Sequence, residues 1–385
     1  MNRLGLSQTQ RFHTKAQELK KRRDDVIDLG AGEPNFPEPH HLLGTSNWDS
    51  NPTKPEKHYL QGKEKLRSAI SERYRKLYCR EVDPDNVLLT HGAKASLYQA
   101  CQVLFGPGDE VLLPNPGWVS YRAQIQMADA SPKPVQGEEK NHYLPTASDF
   151  KKAITSDTKG LIINSPCNPT GGTYSPEQEE DILNLASERG LVTISDECYD
   201  GFSYDKPSST VWRENRKDLL VIGSASKNFS MTGWRIGYCI GPEEAIEGMS
   251  KFQSVFTDRV CTLAQQGMWQ ALQETPNLPG SIRDEFRSRR DYMAEALSEI
   301  PSVKCPAPPG AFYLFPDVGA VLEDSSTLKD DQELALHLLE EAKVVTVPGS
   351  AFGLAGHLRI AYVRDLNQLK EAARRIKSLL QSLDT

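Results

Sequence analysis

One lysine in this sequence stands in a position suited to covalent chemistry. Lys227 ends a Ser-Ala-Ser-Lys segment that follows the apolar run 219–222 after one glycine, and this run predicts a buried strand. The carboxyl ends of strands are where open α/β sheets bind their ligands. A lysine held in a dry site there has a lowered pKa and can form a Schiff base with an aldehyde. Lys227 is therefore a candidate nucleophile and base, although a lone lysine after a strand is also a common surface feature.

Polar side chains follow two further predicted strands. Asp196 and Tyr199 come after the run 191–194, and Asn168 comes after the run 161–163. A buried carboxylate can keep a pyridine nitrogen protonated, and pyridoxal phosphate (PLP) withdraws electrons well only in that state. Asn168 could donate to the phenolic oxygen of the same cofactor. The alternatives are a helix cap for Asp196 and an Asn-Pro turn for Asn168.

Eight segments in the same order resemble the fold-type I PLP enzymes, specifically the class I aminotransferases similar to bacterial aspartate aminotransferases. The resemblance spans almost the whole chain. The segments are Asp-Leu-Gly-Ala-Gly-Glu-Pro at 28–34, Gly-Ala-Lys at 92–94, Trp-Val-Ser-Tyr at 118–121, Asn-Pro-Thr-Gly at 168–171, Asp-Glu-Cys-Tyr at 196–199, Ser-Lys at 226–227 with Arg235, Pro-Gly-Ala-Phe-Tyr at 309–313 and Leu-Arg-Ile at 358–360.

The resemblance implies that these residues bind PLP and act on it. Lys227 would hold the cofactor covalently, and Asp196 would pair with its pyridine nitrogen. Tyr199 and Asn168 would contact the phenolic oxygen, and Trp118 would stack on the ring. The phosphate would be bound by Ser224, Arg235 and the backbone N–H groups of Ala93 and Lys94, which open a predicted helix and so form a natural anion site.

The resemblance also implies where the substrate binds. Arg359 would clamp the α-carboxylate through two parallel hydrogen bonds, and Gly32 would offer backbone where a side chain would not fit. Trp118 and Asn168 would line the same space.

Lys94 is either a solvated residue in the first turn of its predicted helix or a residue that recognises the substrate. A cation in the first turn of a helix opposes the helix dipole, and in the enzymes resembled a lysine here reads the distal carboxylate. Ser7 and Thr9 match a Ser-x-Thr in their N-terminal lid. We therefore expect ping-pong transfer from aspartate or glutamate to a 2-oxo acid such as 2-oxoglutarate.

The resemblance further implies a homodimer whose subunits share their active sites. In such enzymes a tyrosine five residues before the Gly of a G-x-x-x-L-R segment donates to the neighbouring subunit's phosphate. Here the segment is 62–67, and Tyr59 lies only three residues ahead of it. Either Tyr59 still reaches the phosphate, or Lys57 or His58 replaces it. Arg259 is a further cation without an obvious counterpart.

The strands and helices that position these residues can be predicted from the pattern of apolar residues. Short apolar runs alternate with helical patterns and predict an α/β fold with a mostly parallel, buried sheet. The runs are 87–89, 111–113, 161–163, 191–194 and 219–222. Ser175, Pro176 and Gln178 form a capping-box sequence that predicts a helix start, and Gly190 can end that helix.

After about residue 280 the sequence pattern changes from alternating strands and helices to longer helices with only short strands. A long amphipathic pattern at 366–380 and short strands near Phe312 and Leu358 indicate a smaller α+β domain. We expect a large PLP-binding domain at 45–275, and a small α+β domain with an N-terminal arm at 1–44 plus 276–385. One long helix around 242–272 is expected to connect them. Four arginines, Arg283, Arg287, Arg289 and Arg290, are expected on a solvated helix face.

Composition narrows the classes of function. The 385 residues are 38% hydrophobic and 25% charged, as in soluble globular proteins, and the net charge of −7 argues against a nucleic-acid partner. No segment approaches the roughly 18 apolar residues of a membrane span, and no secretion signal is evident. A cytoplasmic location is expected. The seven cysteines never form C-x-x-C, so neither a zinc site nor a disulfide framework is expected.

Two other enzyme functions remain open to the same residues, and two further classes of protein are not expected. A carbon-sulfur β-lyase would share the Lys227 apparatus, and an aminotransferase could have aromatic or broad specificity. A non-catalytic PLP-binding regulator would need a DNA-binding domain, and we do not expect one in the 27 residues before Asp28 of a chain with this net charge. A nicotinamide dehydrogenase would need a G-x-G-x-x-G after a strand, which the sequence lacks.

Overall fold

The structure is a computed structural model that describes residues 14–15, 17–18, 25–37, 59–205, 209–213 and 216–383. The predictions made for Ser7, Thr9, Lys57 and His58 lie outside these residues. The backbone of Tyr59 is described, but its side chain is not.

The strands and helices are named in chain order. The strands are β1 (Ile27–Asp28), β2 (Val87–Thr90), β3 (Glu110–Asn115), β4 (Ser131–Gln136), β5 (Thr158–Asn164), β6 (Val192–Asp196), β7 (Leu219–Ser224), β8 (Gly237–Ile240), β9 (Tyr313–Leu314), β10 (Val344–Val345), β11 (Val347–Pro348) and β12 (Leu358–Ala361). The α-helices are α1 (Glu64–Tyr78), α2 (Ala93–Leu104), α3 (Ser120–Met127), α4 (Ala147–Ala153), α5 (Pro176–Glu188), α6 (Ala225–Asn228), α7 (Glu243–Phe256), α8 (Thr262–Glu274), α9 (Gly280–Ser298), α10 (Gly319–Asp324), α11 (Asp331–Glu340) and α12 (Leu366–Leu383). Short 3₁₀ turns lie at Tyr59–Gln61, Pro84–Asn86, Glu139–Asn141, Thr232–Trp234 and Gly349–Phe352.

A seven-stranded sheet forms the centre of the fold, with the strand order β2-β8-β7-β6-β5-β3-β4. The strands from β3 to β7 pair in parallel, whereas β8 runs antiparallel to both β2 and β7. All five predicted apolar runs are strands of this sheet, which confirms the α/β class. Two strands, β4 and β8, were not predicted.

The sheet brings the predicted polar residues to one edge. Strands β5, β6 and β7 are neighbours and end at Asn164, Asp196 and Ser224. Asn164 lies beside Asp196 in the register of the two parallel strands. Because the ends of parallel strands meet at the same edge, residues that follow them converge.

Helix α5 shows how local sequence sets the crossover between β5 and β6. The Ser175 side chain accepts from the Gln178 backbone N–H while the Gln178 side chain accepts from the Ser175 N–H, which is the predicted capping box. Pro176 occupies the first turn. Gly190, at φ +63°, follows the helix end.

Two smaller sheets lie outside the central one. Strand β1 pairs in parallel with β10, and β12 lies between β11 and β9. Ile27 and Leu29 belong to one buried apolar cluster with residues of α9, α11 and α12. The domain division at residue 275 stays a prediction.

Two expectations were wrong. The predicted long helix at 242–272 is two helices, α7 and α8, because the chain leaves helical geometry around Asp258, at φ +55°. Asp tolerates this left-handed conformation better than most residues do.

The predicted solvated arginine face was also wrong for two of its members. Arg289 and Arg290 are buried because chain segments pack over them and accept their hydrogen bonds. Arg289 donates to Asn35 Oδ1 at 2.8 Å, and Arg290 donates to Asp205 Oδ2 at 2.9 Å. Arg283 is exposed and Arg287 is half-buried. In the described part of the chain, no helix combines the length and apolar character required to cross a bilayer.

Candidate active site

A cavity of about 560 Å³ opens at the carboxyl ends of the central parallel strands. It gathers most of the site residues predicted from the sequence. Those that line it are Gly32, Ala93, Lys94, Trp118, Asn168, Asp196, Tyr199, Ser224, Lys227, Arg235 and Arg359. Arg259 is half-buried and is not among the lining residues, and the side chain of Tyr59 is not described.

Lys227 is half-buried in the wall of this cavity. Burial lowers the pKa of Lys227 to about 8, and the nearby guanidinium groups of Arg359 and Arg235 act in the same direction. Its Nζ donates to the carbonyl oxygen of Gly32 at 2.5 Å. A Cβ at position 32 would lie 2.3 Å from Tyr313 Oη, so only glycine fits there. The amine is therefore poised to lose its proton near neutral pH.

Asp196 ends β6 as a buried carboxylate with neutral donors. Its Oδ2 accepts from the Tyr121 hydroxyl at 2.7 Å, and its Oδ1 accepts from the Cys198 backbone N–H at 3.2 Å. Burial raises the pKa of Asp196, while the hydrogen bonds from Cys198 and Tyr121 oppose that rise. The bond from the Cys198 N–H resembles the helix cap that the sequence also allowed for Asp196. A turn and not a helix follows Asp196, however. A carboxylate so placed suits a cationic ring nitrogen.

Arg359, on β12, faces Asn168 across the cavity wall. Its Nη1 donates to Asn168 Oδ1 at 3.0 Å and its Nη2 donates to the Gly30 carbonyl at 2.6 Å. Its Nε is buried and lacks a hydrogen-bond partner among the described residues. The rings of Tyr313 and Phe352 lie 4.5 and 4.9 Å from the guanidinium carbon. A buried donor without a partner invites an acceptor such as a carboxylate.

An anion cradle lies where α2 begins. The N–H groups of Ala93 and Lys94 start the helix and so have no carbonyl of their own helix to bond. Gly92, at φ +87°, lies so close to Arg235 that a Cβ would stand 2.8 Å from Arg235 Nη2. With the Ser224 hydroxyl also lining the cavity, this donor set suits a phosphate group.

Lys94 and Trp118 form one wall of the cavity. The Lys94 Nζ lies 5.0 Å from the centre of the Trp118 ring. Much of the Lys94 side chain is exposed, yet partial burial and the neighbouring Arg235 lower the pKa of Lys94. Its ammonium thus lies over the Trp118 ring at the cavity wall, and helix α2 contains no carboxylate that could pair with it.

Two tyrosines in this site had no role in the sequence reasoning. Tyr121 bonds to Asp196 and meets Trp118 edge-on, with ring centres 5.3 Å apart. Tyr313 shares a hydrogen bond of 2.9 Å with Tyr199 through their hydroxyls. Both lie in segments on which the resemblance rests. For Tyr121, its position three residues after Trp118 was the sequence feature that could have indicated a place in the site.

Comparison with known proteins agrees with this geometry. The family model for aminotransferase class I and II matches residues 24–376. An aspartate aminotransferase of Bacillus subtilis is 36% identical over 97% of this chain and 96% of its own length. A probable aspartate/prephenate aminotransferase of Aquifex aeolicus is 37% identical over 98% of this chain and 96% of its own.

The fold agrees as well. The crystal structure of an aspartate aminotransferase from Rhizobium meliloti superposes with a TM-score of 0.90 at 30% identity, covering 100% of this chain and 99% of that one. Aminotransferases of this family use pyridoxal 5′-phosphate. The lysine of lowered pKa, the buried carboxylate and the anion cradle fit that cofactor. The chain belongs to the class I and II aminotransferases and is a PLP-dependent aminotransferase.

Proposed function

We propose that this aminotransferase takes its amino group from an acidic amino acid, aspartate or glutamate, and gives it to a 2-oxo acid such as 2-oxoglutarate. The observation that carries the proposal is the placement of Lys94, whose ammonium faces the same cavity as Arg359. Of the four cations that line the cavity, Lys227 and Arg235 are assigned to the cofactor; the other two, Lys94 and Arg359, suit a substrate with two carboxylates. The relatives named aspartate aminotransferase support the same assignment.

We propose that five residues hold the cofactor's ring and substrate-facing side. Asp196 pairs with the ring nitrogen, Asn168 and Tyr199 bond the phenolic oxygen, and Trp118 stacks on the ring. Lys227 is the point of covalent attachment. The phosphate is bound by Ser224, Arg235 and the N–H groups of Ala93 and Lys94, with Tyr59 as the candidate donor from a neighbouring subunit.

The chemistry divides between cofactor and protein. PLP, when bound, withdraws electrons from the substrate Cα and so makes its proton acidic. Lys227, with a pKa of about 8, can take that proton from Cα close to neutral pH and would pass it to the bound cofactor instead of returning it to Cα. Arg359 fixes the α-carboxylate, and Gly32 leaves room for the substrate beside the catalytic amine. Tyr199, held by Tyr313, positions its hydroxyl at the same wall.

Substitution of Lys94 tests the acidic specificity. Lys94→Ala should lower kcat/KM for aspartate by about 10- to 100-fold, or about 1.5 to 3 kcal/mol for a lost charge-assisted contact. Phenylalanine and alanine, which lack a distal carboxylate, should be much less affected. The measurement is the aspartate-to-phenylalanine ratio of kcat/KM, with Lys151→Ala, an exposed lysine on α4, as the matched control.

A ratio that does not fall in Lys94→Ala would remove the distal-carboxylate role and favour aromatic or broad specificity. The Aquifex aeolicus relative is named for prephenate as well as aspartate, so the substrate panel should include prephenate. A carbon-sulfur β-lyase shares the cofactor residues. It would break the C–S bond and release a thiol, ammonia and a 2-oxo acid without an amino acceptor, so product analysis separates the two.

We also propose that the enzyme is a cytoplasmic homodimer in which the subunits complete each other's sites. The support is the expected role of Tyr59 and the commonness of two-fold dimers. Ser7 and Thr9 are proposed to close over the substrate, and Arg259 is a further candidate at the subunit boundary. The large domain at 45–275 and the small domain built from both chain ends belong to the same proposal. Sizing at low protein concentration tests the dimer, and a fully active monomer would contradict it.

A further inference from the structure

Tyr121 links two residues that face the cofactor position. Its side chain is 0% exposed, and its hydroxyl lies 2.7 Å from Asp196 Oδ2. Its ring meets Trp118 edge-on at an interplanar angle of 76°. Tyr121 lies in the first turn of α3, whereas Asp196 ends β6, so this contact ties the helix to the sheet edge. One side chain thus touches both the carboxylate and the indole.

The hydroxyl is a permanent donor at this place. Burial, together with the negative charge of Asp196, raises the pKa of Tyr121 well above its ordinary value, so the group keeps its proton throughout the working pH range. Asp196 is only 6% exposed and loses most of its hydration. A desolvated carboxylate tends to take up a proton unless hydrogen bonds stabilise its charge. The Tyr121 hydroxyl and the Cys198 N–H supply such bonds, one to each carboxylate oxygen.

We propose that Tyr121 is a positioning residue that keeps Asp196 ionised and directed at the cofactor's ring nitrogen. Without the hydroxyl, Oδ2 loses its donor in a dry site, and the proton shared with the ring nitrogen moves toward the carboxylate. The ring then withdraws electrons less well. The inference rests on the proposed pairing of Asp196 with the ring nitrogen. It does not depend on which amino acid is the donor.

The experiment reads the ring nitrogen directly. Wild type and Tyr121→Phe are reconstituted with PLP labelled with ¹⁵N in the ring, and the ¹⁵N chemical shift is followed against pH without substrate. We expect a protonated nitrogen in the wild type and a shift toward the unprotonated position in Tyr121→Phe. We also expect kcat to fall about tenfold with little change in KM, since the group acts through Asp196 and does not touch the substrate.

The matched control is Tyr174→Phe. The Tyr174 hydroxyl is also buried, but it donates to the Pro145 carbonyl at 2.8 Å, away from the cavity lining. This control should leave the ¹⁵N shift and kcat unchanged. A Tyr121→Phe shift equal to that of the wild type at every pH would overturn the inference, as would an equal change in Tyr174→Phe.

A second variant covers the case in which Tyr121→Phe does not fold. Site-specific 3-fluorotyrosine at position 121 keeps the hydroxyl but makes it a stronger donor, so the ring nitrogen should stay protonated to higher pH than in the wild type. No change, or a change in the opposite direction, counts against the role. Asp196→Ala tests the Asp196 pairing separately from the role of Tyr121. If this substitution leaves the ¹⁵N shift unchanged, Asp196 does not pair with the ring nitrogen.

Discussion

Arg359→Lys tests whether the geometry of the guanidinium, and not only its charge, binds the substrate. In the structure Nη1 and Nη2 are fixed by Asn168 Oδ1 at 3.0 Å and by the Gly30 carbonyl at 2.6 Å, and two aromatic rings flank the plane. The group is therefore preorganised to offer parallel donors to an α-carboxylate. Lysine keeps the positive charge but presents it as a compact point on a flexible stem.

The magnitude follows from the bonds lost. Lysine can retain one charge-assisted bond to the carboxylate and loses at least one, which is about 1.5 to 3 kcal/mol. At about 1.4 kcal/mol per factor of ten, kcat/KM should fall about 10- to 150-fold. Most of the change should appear in KM, since the contact is made in the ground state as well as in the transition state.

The assay compares steady-state kinetics with binding of an α-methyl amino acid, which lacks the transferable proton and so reports binding alone. Its Kd should rise by the same factor as KM. Because every amino acid carries an α-carboxylate, aspartate and phenylalanine should lose equally, in contrast to Lys94→Ala.

Arg213→Lys is the matched control, since Arg213 bonds backbone carbonyls of Thr210 and Trp212 away from the cavity. An Arg359→Lys enzyme with unchanged KM and Kd would refute the clamp.

Three further predictions concern Lys227 and a buried ion pair. Borohydride reduction of the holoenzyme should label Lys227 alone, and Lys227→Ala should abolish both the label and turnover. In protein freed of cofactor, the rate of PLP attachment should rise with pH around a midpoint near 8, because the folded-state pKa of Lys227 is lowered to about 8; a midpoint near the ordinary value of lysine would contradict its burial. Arg73→Met should lower the free energy of unfolding by about 3 to 5 kcal/mol, because Asp200, 4% exposed, would lose the cation that lies 2.5 Å away and keep the neutral donors of Tyr78 and Asn228. Arg75→Met on the same helix, where the pair with Glu72 is exposed, should cost less than about 1 kcal/mol in chemical denaturation, and equal losses would refute the distinction.

The sheet could be predicted where its strands are buried on both faces. Apolar runs mark β2, β3, β5, β6 and β7, because a strand covered on both sides needs apolar residues throughout. Strand β4 was not predicted because it is not an apolar run. Its sequence, Ser-Pro-Lys-Pro-Val-Gln, contains two prolines, which a sheet tolerates at an edge, and β4 is the last strand in the order. Strand β8 is short and antiparallel, and the alternation of strand and helix gives no sign of it.

The helix boundary and the arginine face show where one-dimensional patterns reach their limit. Residues 257–261 contain neither glycine nor proline, so nothing local predicted the break between α7 and α8. The burial of Arg289 depends on Asn35, which lies 254 positions away in the chain. Periodicity along α9 describes the helix itself but not which distant segments cover it. An arginine there is indistinguishable from a solvated one until its acceptors are known.

In the candidate site too, residues placed by the local pattern were predicted, whereas contacts from distant parts of the chain were not. Residues at the ends of strands were predictable because the sheet's topology places all such ends together, and the structure brings Asp196, Ser224 and Lys227 into one cavity. The residues that tune them come from other elements. Tyr121 reaches Asp196 across 75 positions, and Tyr313 reaches Tyr199 across 114. Under the proposed roles of Asp196 and Tyr199, such contacts set the protonation and orientation of groups around the cofactor position. Substitutions of Tyr121 and Tyr313 should therefore alter rate and pH dependence while leaving the predicted site residues in place.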